Sequence, residues 1–154
     1  MSKSRSFFNY WVPLLMWMCV IFTASGDAHS FRHSSRILGP VLRWIFPNIS
    51  ESAVNTTVTV IRKCAHLTEY AVLALLFWRM LRKPVKKDSR PWSWRHAAIA
   101  VLLVALYAAT DEFHQNFVPS RDASVRDVLI DTAGGAGGML LLWAIGTWRK
   151  TWPR

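Results

Sequence analysis

The stretch VLIDTAGGAGGMLLLWAIG, residues 128–146, decides what kind of fold this chain adopts. It holds one charged residue, Asp131, in nineteen positions, and Trp148, Arg149 and Lys150 follow it closely. Crossing a bilayer core takes about 20 predominantly apolar residues, so this length and composition predict a transmembrane helix. Gly134 and Gly138 are four apart, as are Ala133 and Gly137. Such small-xxx-small pairs let one helix press its backbone against another. Asp127 and Asp131 share the face of Gly134 and Gly138, so the helix is expected to carry its acids into the same interface.

Three further apolar blocks precede this one: Tyr10 to Ala24, Tyr70 to Trp78 and Ala97 to Ala109. Each is short of a full span, and the mean hydropathy is only +0.18. A basic soluble bundle is therefore a competing reading of 154 residues with a net charge of +10. Disorder is excluded by a 52% hydrophobic composition with nine tryptophans, and a disulfide scaffold by only two cysteines, expected here to be small buried residues.

The placement of charge separates the remaining readings. With four spans and an internal N-terminus, the cytoplasmic parts hold twelve basic residues and one acid, Asp88. The opposite side holds seven basic residues and eight acids. This is a positive-inside distribution, which a soluble bundle has no reason to produce. Trp92, Trp94, Trp148 and Trp152 flank the third and fourth blocks at interface positions. The fold expected is all-α: a polytopic, four-helix transmembrane bundle with cytoplasmic N- and C-termini. It forms a single domain over residues 1–154, with spans at approximately 9–25, 61–81, 96–112 and 127–147. Lys3 and Arg5, an apolar run and Thr23-Ala24-Ser25-Gly26 also have the order of a cleaved signal peptide, which would leave three spans. Between the first two blocks, Ile37, Leu38, Val41, Leu42 and Ile45 recur at helical spacing, predicting an amphipathic helix on the outer leaflet despite Pro40.

Three polar segments occupy positions where spans should be apolar. Arg62, Lys63, His66 and Glu69 open the second helix, with Arg62, His66 and Glu69 on one face. Asp111, Glu112, His114 and Gln115 close the third, with Asp111, His114 and Gln115 sharing a face. Arg121, Asp127 and Asp131 lead into the fourth. In the four-span topology all three segments meet at the outer end of the bundle. Ionisable groups at membrane depth cost roughly 2.5–3.5 kcal/mol each on insertion scales, so they should face inward, pair, or line a cavity.

Taken in order, Arg62-Lys63-x-x-His66-x-x-Glu69-Tyr70, Asp111-Glu112-x-His114-Gln115, Pro119-x-Arg121 and Asp127-x-x-x-Asp131 before the glycine run resemble the VanZ-like family. The resemblance covers about Ile61 to Leu142, and more loosely the first helix with Ser25, Ser34 and Ser35. Thr23-Ala24-Ser25-Gly26 departs from the family's commoner serine pair after helix one. The resemblance implies a small, multi-pass protein of the bacterial cytoplasmic membrane, whose namesake is associated with teicoplanin resistance.

Two functions fit these residues. One is action on, or binding of, an envelope lipid or lipid-linked cell-wall precursor at the outer face. His66, Glu69, Asp111 and His114 are then the acid–base candidates. Arg62, Lys63, Glu112, Gln115, Arg121, Asp127 and Asp131 are the substrate-binding candidates, the arginines suited to holding phosphate or carboxylate. The other is a non-catalytic binding or protective protein whose charges form a structural ion-pair network, Arg62 with Glu69 or Asp127 and Arg121 with Asp131. Whether the chain is an enzyme is left open by its residues. No cofactor and no metal are expected: the spacing lacks the His-Glu-x-x-His pattern, and Arg62 and Lys63 oppose a dication. The partners expected are membrane lipid and a lipid-linked precursor or glycopeptide. Nucleic acid is excluded, because the basic residues sit on a membrane-flanking loop and tails.

Overall fold

The computed structural model of the chain describes residues 3–25, 30–84, 90–117 and 124–152, with the side chains of 3–6 and 30–35 left out of the description. It is all-helical. Five helices follow one another: α1 (Lys3–Ser25), α2 (Ser30–Ile45), α3 (Glu51–Arg82), α4 (Trp94–Gln115) and α5 (Val125–Trp148).

The four-helix expectation is corrected in two respects. The region between the first two spans supplies a helix of its own, α2. And among the described residues three helices, not four, are long and apolar enough to cross a membrane: α1 from Phe7, α4 and α5. Helix α3 has ample length at 32 residues, but Arg62, Lys63, His66, Glu69 and Arg79 interrupt its apolar character. It also starts ten positions earlier than the expected residue 61. Ser50 caps it, accepting from the Ala53 amide at 3.2 Å, and Glu51 complements the helix dipole in the first turn. Thr56, Thr57 and Thr59 then return their hydroxyls to carbonyls four residues back. Those bonds take up the hydroxyls without strengthening the helix; the Ser50 cap and the burial of Val54 and Val58 on one side hold the stretch helical. At the far end Lys83 takes a left-handed conformation, and Pro84 stops the helix.

The expected amphipathic segment is a helix that passes through Pro40. Helix α2 lies along the first half of α3, where Gly39 approaches Val54 and Arg43 pairs with Glu51. Ile37, Val41, Trp44 and Ile45 stay exposed on its other side.

The core is built from α1, α3, α4 and α5, with Leu14, Ile21, Tyr70, Leu73, Phe77, Val104 and Met139 buried within it. Helix α5 is wedged between α3 and α4 by its glycines. A Cβ on Gly134 would stand 2.6 Å from the Leu67 carbonyl oxygen, and one on Gly138 2.9 Å from that of Ala71. A Cβ on Gly135 would meet Val104 of α4 at 2.9 Å. The second small pair expected from the sequence is not used: Gly137 faces open space and Ala133 is exposed. The second half of α3 runs beside α1. Trp17 donates to the Glu69 carbonyl, and Tyr10 to that of Pro84, both at 3.0 Å. Outward-facing Met16, Val20, Leu102, Leu106, Leu140 and Leu141 give the bundle an apolar exterior. Cys19 and Cys64 lie on that exterior too, exposed rather than buried as expected.

At the end of the bundle carrying the basic loop, the tryptophans do more than mark an interface. Trp92 stacks on Trp78 at 5.7 Å, and Trp152 folds back over Gly146 to meet both rings. Arg82, one of the basic residues counted on the cytoplasmic side, is buried among them. It lies over Trp78 and Trp152 and donates to the carbonyls of Arg90 and Pro91 at 2.7 and 2.8 Å. Removing that guanidinium strips two charge-assisted bonds and two cation–π contacts. Arg82→Ala is therefore expected to cost about 3 kcal/mol, read as a lowered thermal midpoint of the purified protein by tryptophan fluorescence. A midpoint within a degree of wild type would refute this role.

Candidate functional site

At the opposite end, the last turns of α4, the first turns of α5 and the middle of α3 come together. Asp111 and Gln115 are one turn apart on α4, with Glu112 beside them, and all three are buried. Asp131, one turn along α5 from Asp127, is buried as well. These acids reach α3 because Gly134 lets α5 approach Leu67 closely, only one residue beyond His66.

Between the three helices lies a cavity of about 270 Å³. Helix α3 contributes Thr59, Arg62, Lys63 and His66 to its wall, α4 contributes Asp111, Glu112 and Gln115, and α5 contributes Asp127, Ile130 and Asp131. Basic groups therefore occupy one wall and carboxylates the facing two.

The carboxylates are held differently. Asp111 Oδ2 accepts from the Tyr70 hydroxyl at 3.3 Å and from Gln115 Nε2 at 3.2 Å. Its other oxygen, Oδ1, is buried and has no hydrogen-bond partner among the described residues. Glu112 Oε2 accepts from the Ser124 amide at 2.8 Å, tying the end of α4 to the start of α5. A buried acceptor without a donor costs about 1–3 kcal/mol. Asp111 lines the cavity, but this oxygen itself has almost no accessible surface, so a cavity occupant would meet it only after the side chain turned.

Of the residues picked out from the sequence, the cavity gathers His66 and Asp111 from the acid–base set, and Arg62, Lys63, Glu112, Gln115, Asp127 and Asp131 from the binding set. Glu69 and His114 do not line it. His66 Nδ1 stands 3.3 Å from Glu69 Oε2, at ion-pair distance but without hydrogen-bond alignment. The His114 ring packs on Phe22 of α1, centroids 4.3 Å apart. The face expected to unite Asp111, His114 and Gln115 thus splits, because α1 occupies the side that His114 points to. Arg121 falls outside the described residues.

Sequence reasoning missed Tyr70, Thr59 and Ile130. Tyr70 is four residues from His66, and Thr59 seven before it, so helical spacing alone would have placed both near that face. Ser25, buried at the end of α1 with its hydroxyl unpartnered among the described residues, is a further polar group in this half of the bundle. Among the described residues, no three His, Cys, Asp or Glu side chains are grouped so as to hold a metal ion.

The fold and the cavity together define a small helical membrane protein with a charged chamber at one end of its bundle. The family model of VanZ/LLP1 matches residues 10–146, nearly the whole chain, and the protein belongs to that family. Neither the curated proteins nor the solved structures contain a match to it.

Proposed function

We propose that the protein is a multi-pass protein of the cytoplasmic membrane that takes the polar head of an envelope lipid or lipid-linked cell-wall precursor into this cavity. The observation that carries the reading is about 270 Å³ of open space lined by Arg62, Lys63 and His66 from α3 and by Asp111, Glu112, Asp127 and Asp131 from α4 and α5. A network serving only to lock helices together satisfies its own groups and fills its own volume. This one leaves a volume open and one buried oxygen of Asp111 unpartnered among the described residues, which favours a binding site over the purely structural alternative. His66 and Asp111 stand ready as acid and base should the bound head group be transformed.

The charge map supports an orientation. Lys83, Arg90 and Arg95 sit around the tryptophan end, and the carboxylates at the other. By the positive-inside rule the first end is cytoplasmic and the cavity opens at the outer face. The second half of α3 returns the chain across the bundle beside α1, its polar groups shielded by neighbouring helices rather than by lipid.

Reporter fusions after Arg90 and after Ser124 are expected to read inside and outside respectively; the same location for both would overturn the orientation. Native mass spectrometry of protein extracted with its own membrane is expected to find a stoichiometric lipid. Asp131→Leu, which places an apolar side chain at the cavity wall, should abolish that adduct at unchanged membrane abundance. Cells carrying the variant would then also lose any teicoplanin protection given by the wild type. An adduct that survives Asp131→Leu would remove the cavity as its site.

A further inference from the structure

Resting on the reading of the cavity as a head-group site, we propose that Glu69 is the positioning residue of His66. Its carboxylate holds the Nδ1–H of the imidazole and so fixes the ring as the neutral tautomer whose Nε2 is an open proton acceptor at the cavity wall. Glu69 itself stays off that wall and acts only through the histidine.

Two atoms carry this assignment. Glu69 Oε2 is buried and has no hydrogen-bond partner among the described residues. A carboxylate oxygen in that state calls for a donor, and His66 Nδ1, 3.3 Å away and one helical turn back, is placed to give one. The ring stands out of line with the oxygen, but the outer torsion of a histidine is broad, so a small turn makes the bond at little cost. Glu69 is held for that contact from behind. Its turn of α3 is pinned to α1, where Trp17 donates to the Glu69 carbonyl at 3.0 Å.

The other ring nitrogen is left open. His66 lines the cavity and Glu69 does not. Unlike Glu69 Oε2, His66 Nε2 keeps accessible surface, and it has no hydrogen-bond partner among the described residues. A neutral imidazole carries one N–H and one lone pair, so a proton held at Nδ1 puts the lone pair on Nε2. A proton taken from an occupant would go to Nε2, and the carboxylate behind the ring would stabilise the imidazolium so formed. Asp131 of α5 and Arg62 of α3 also bear electrostatically on the ring. Among the described residues Glu69 alone comes within ion-pair distance of it.

The test incorporates isotope-labelled histidine into the full chain, purifies it in detergent without lipid, and reads the His66 ring nitrogens by NMR at about pH 8, where an unpaired histidine is neutral. His66→Asn identifies the signals. The Nδ1–H tautomer is expected to dominate by about tenfold or more, the difference that one hydrogen bond to a charged partner makes. Glu69→Gln replaces an obligate acceptor by a group that also donates, and Glu69→Ala removes it, so both should abolish that dominance. Asp131→Asn should leave it in place. A proton found on Nε2 in the wild type, or an imidazolium protonated at both nitrogens, would overturn the proposal. So would Glu69 variants with a lowered thermal midpoint and an unchanged tautomer, which would make Glu69 a packing contact of α1 and α3. The wild-type spectrum decides the tautomer by itself should a variant fail to fold. Because these samples hold no lipid, a missing lipid adduct would defeat the head-group reading without touching the tautomer, and a wrong tautomer would defeat this proposal without touching the adduct.

Discussion

Gly134→Leu is expected to dismantle the bundle. A Cβ at this position would lie 2.6 Å from the Leu67 carbonyl oxygen and 2.9 Å from its Cα, both backbone atoms of α3. Side chains can rotate out of the way, but a helix backbone cannot. The only relief is to separate α3 from α5, the most extensively packed pair in the fold. Overpacking a core costs about 1–3 kcal/mol when side chains can adjust, and a clash with main chain belongs at or beyond the upper end. Separation would also pull Asp131 away from His66 and open the cavity wall. The expected result is a steep fall in the amount of protein recovered from membranes, and a lowered thermal midpoint of what remains. Gly137→Ala is the control. Its Cβ would meet nothing within 4 Å, so it should be neutral or stabilising by about 0.5–1 kcal/mol from helix propensity. Similar behaviour of the two variants would show that the glycine run serves flexibility rather than close approach.

The contrast between Gly134 and Gly137 also shows how far the sequence could be read. Spacing placed Asp131, Gly134 and Gly138 on one face, and that face packs on α3. Spacing offered Ala133 and Gly137 as an equal alternative, and only a neighbouring helix decides between them. The cavity was legible for a similar reason. Polar residues in apolar helices must avoid lipid, and eight of the eleven residues singled out line one space. Glu69 and His114 were misplaced because α1 lies against that side, and nothing in α3 or α4 themselves records where α1 will dock. The missed start of α3 has a local cause. Its first ten residues include Asn55, Thr56, Thr57 and Thr59, which lower helix propensity, and the serine cap together with the burial of Val54 and Val58 outweighs them. Nothing in the sequence marks Arg82 as the buried member of its basic segment. Its burial depends on tryptophans from three separate segments, at positions 78, 92 and 152.

Asp111→Asn is expected to weaken ligand binding by about 10- to 100-fold without weakening the fold. The substitution keeps the size of the side chain and an oxygen acceptor, so the Tyr70 hydroxyl and the Gln115 amide retain their partner. It removes the charge and places an amide where the unpartnered oxygen stood. If the carboxylate served only as a helix lock, losing its charge would loosen the structure. A buried carboxylate is instead a standing desolvation cost, which a neutral amide of the same size lowers, so the thermal midpoint should stay near wild type. Binding should fall all the same, because a hydrogen bond to a charged partner contributes about 1.5–3 kcal/mol. Affinity lost at unchanged stability is the behaviour of a functional site, in which destabilising groups are kept for the ligand. Tyr70→Phe should act on the same residue more gently. It removes one bond to Oδ2 and leaves Oδ1 untouched, so binding should fall severalfold and no further. Both quantities can be read on one preparation, from lipid titration and from thermal unfolding with and without lipid. A fall in midpoint that accompanies the fall in binding would assign Asp111 to the scaffold instead.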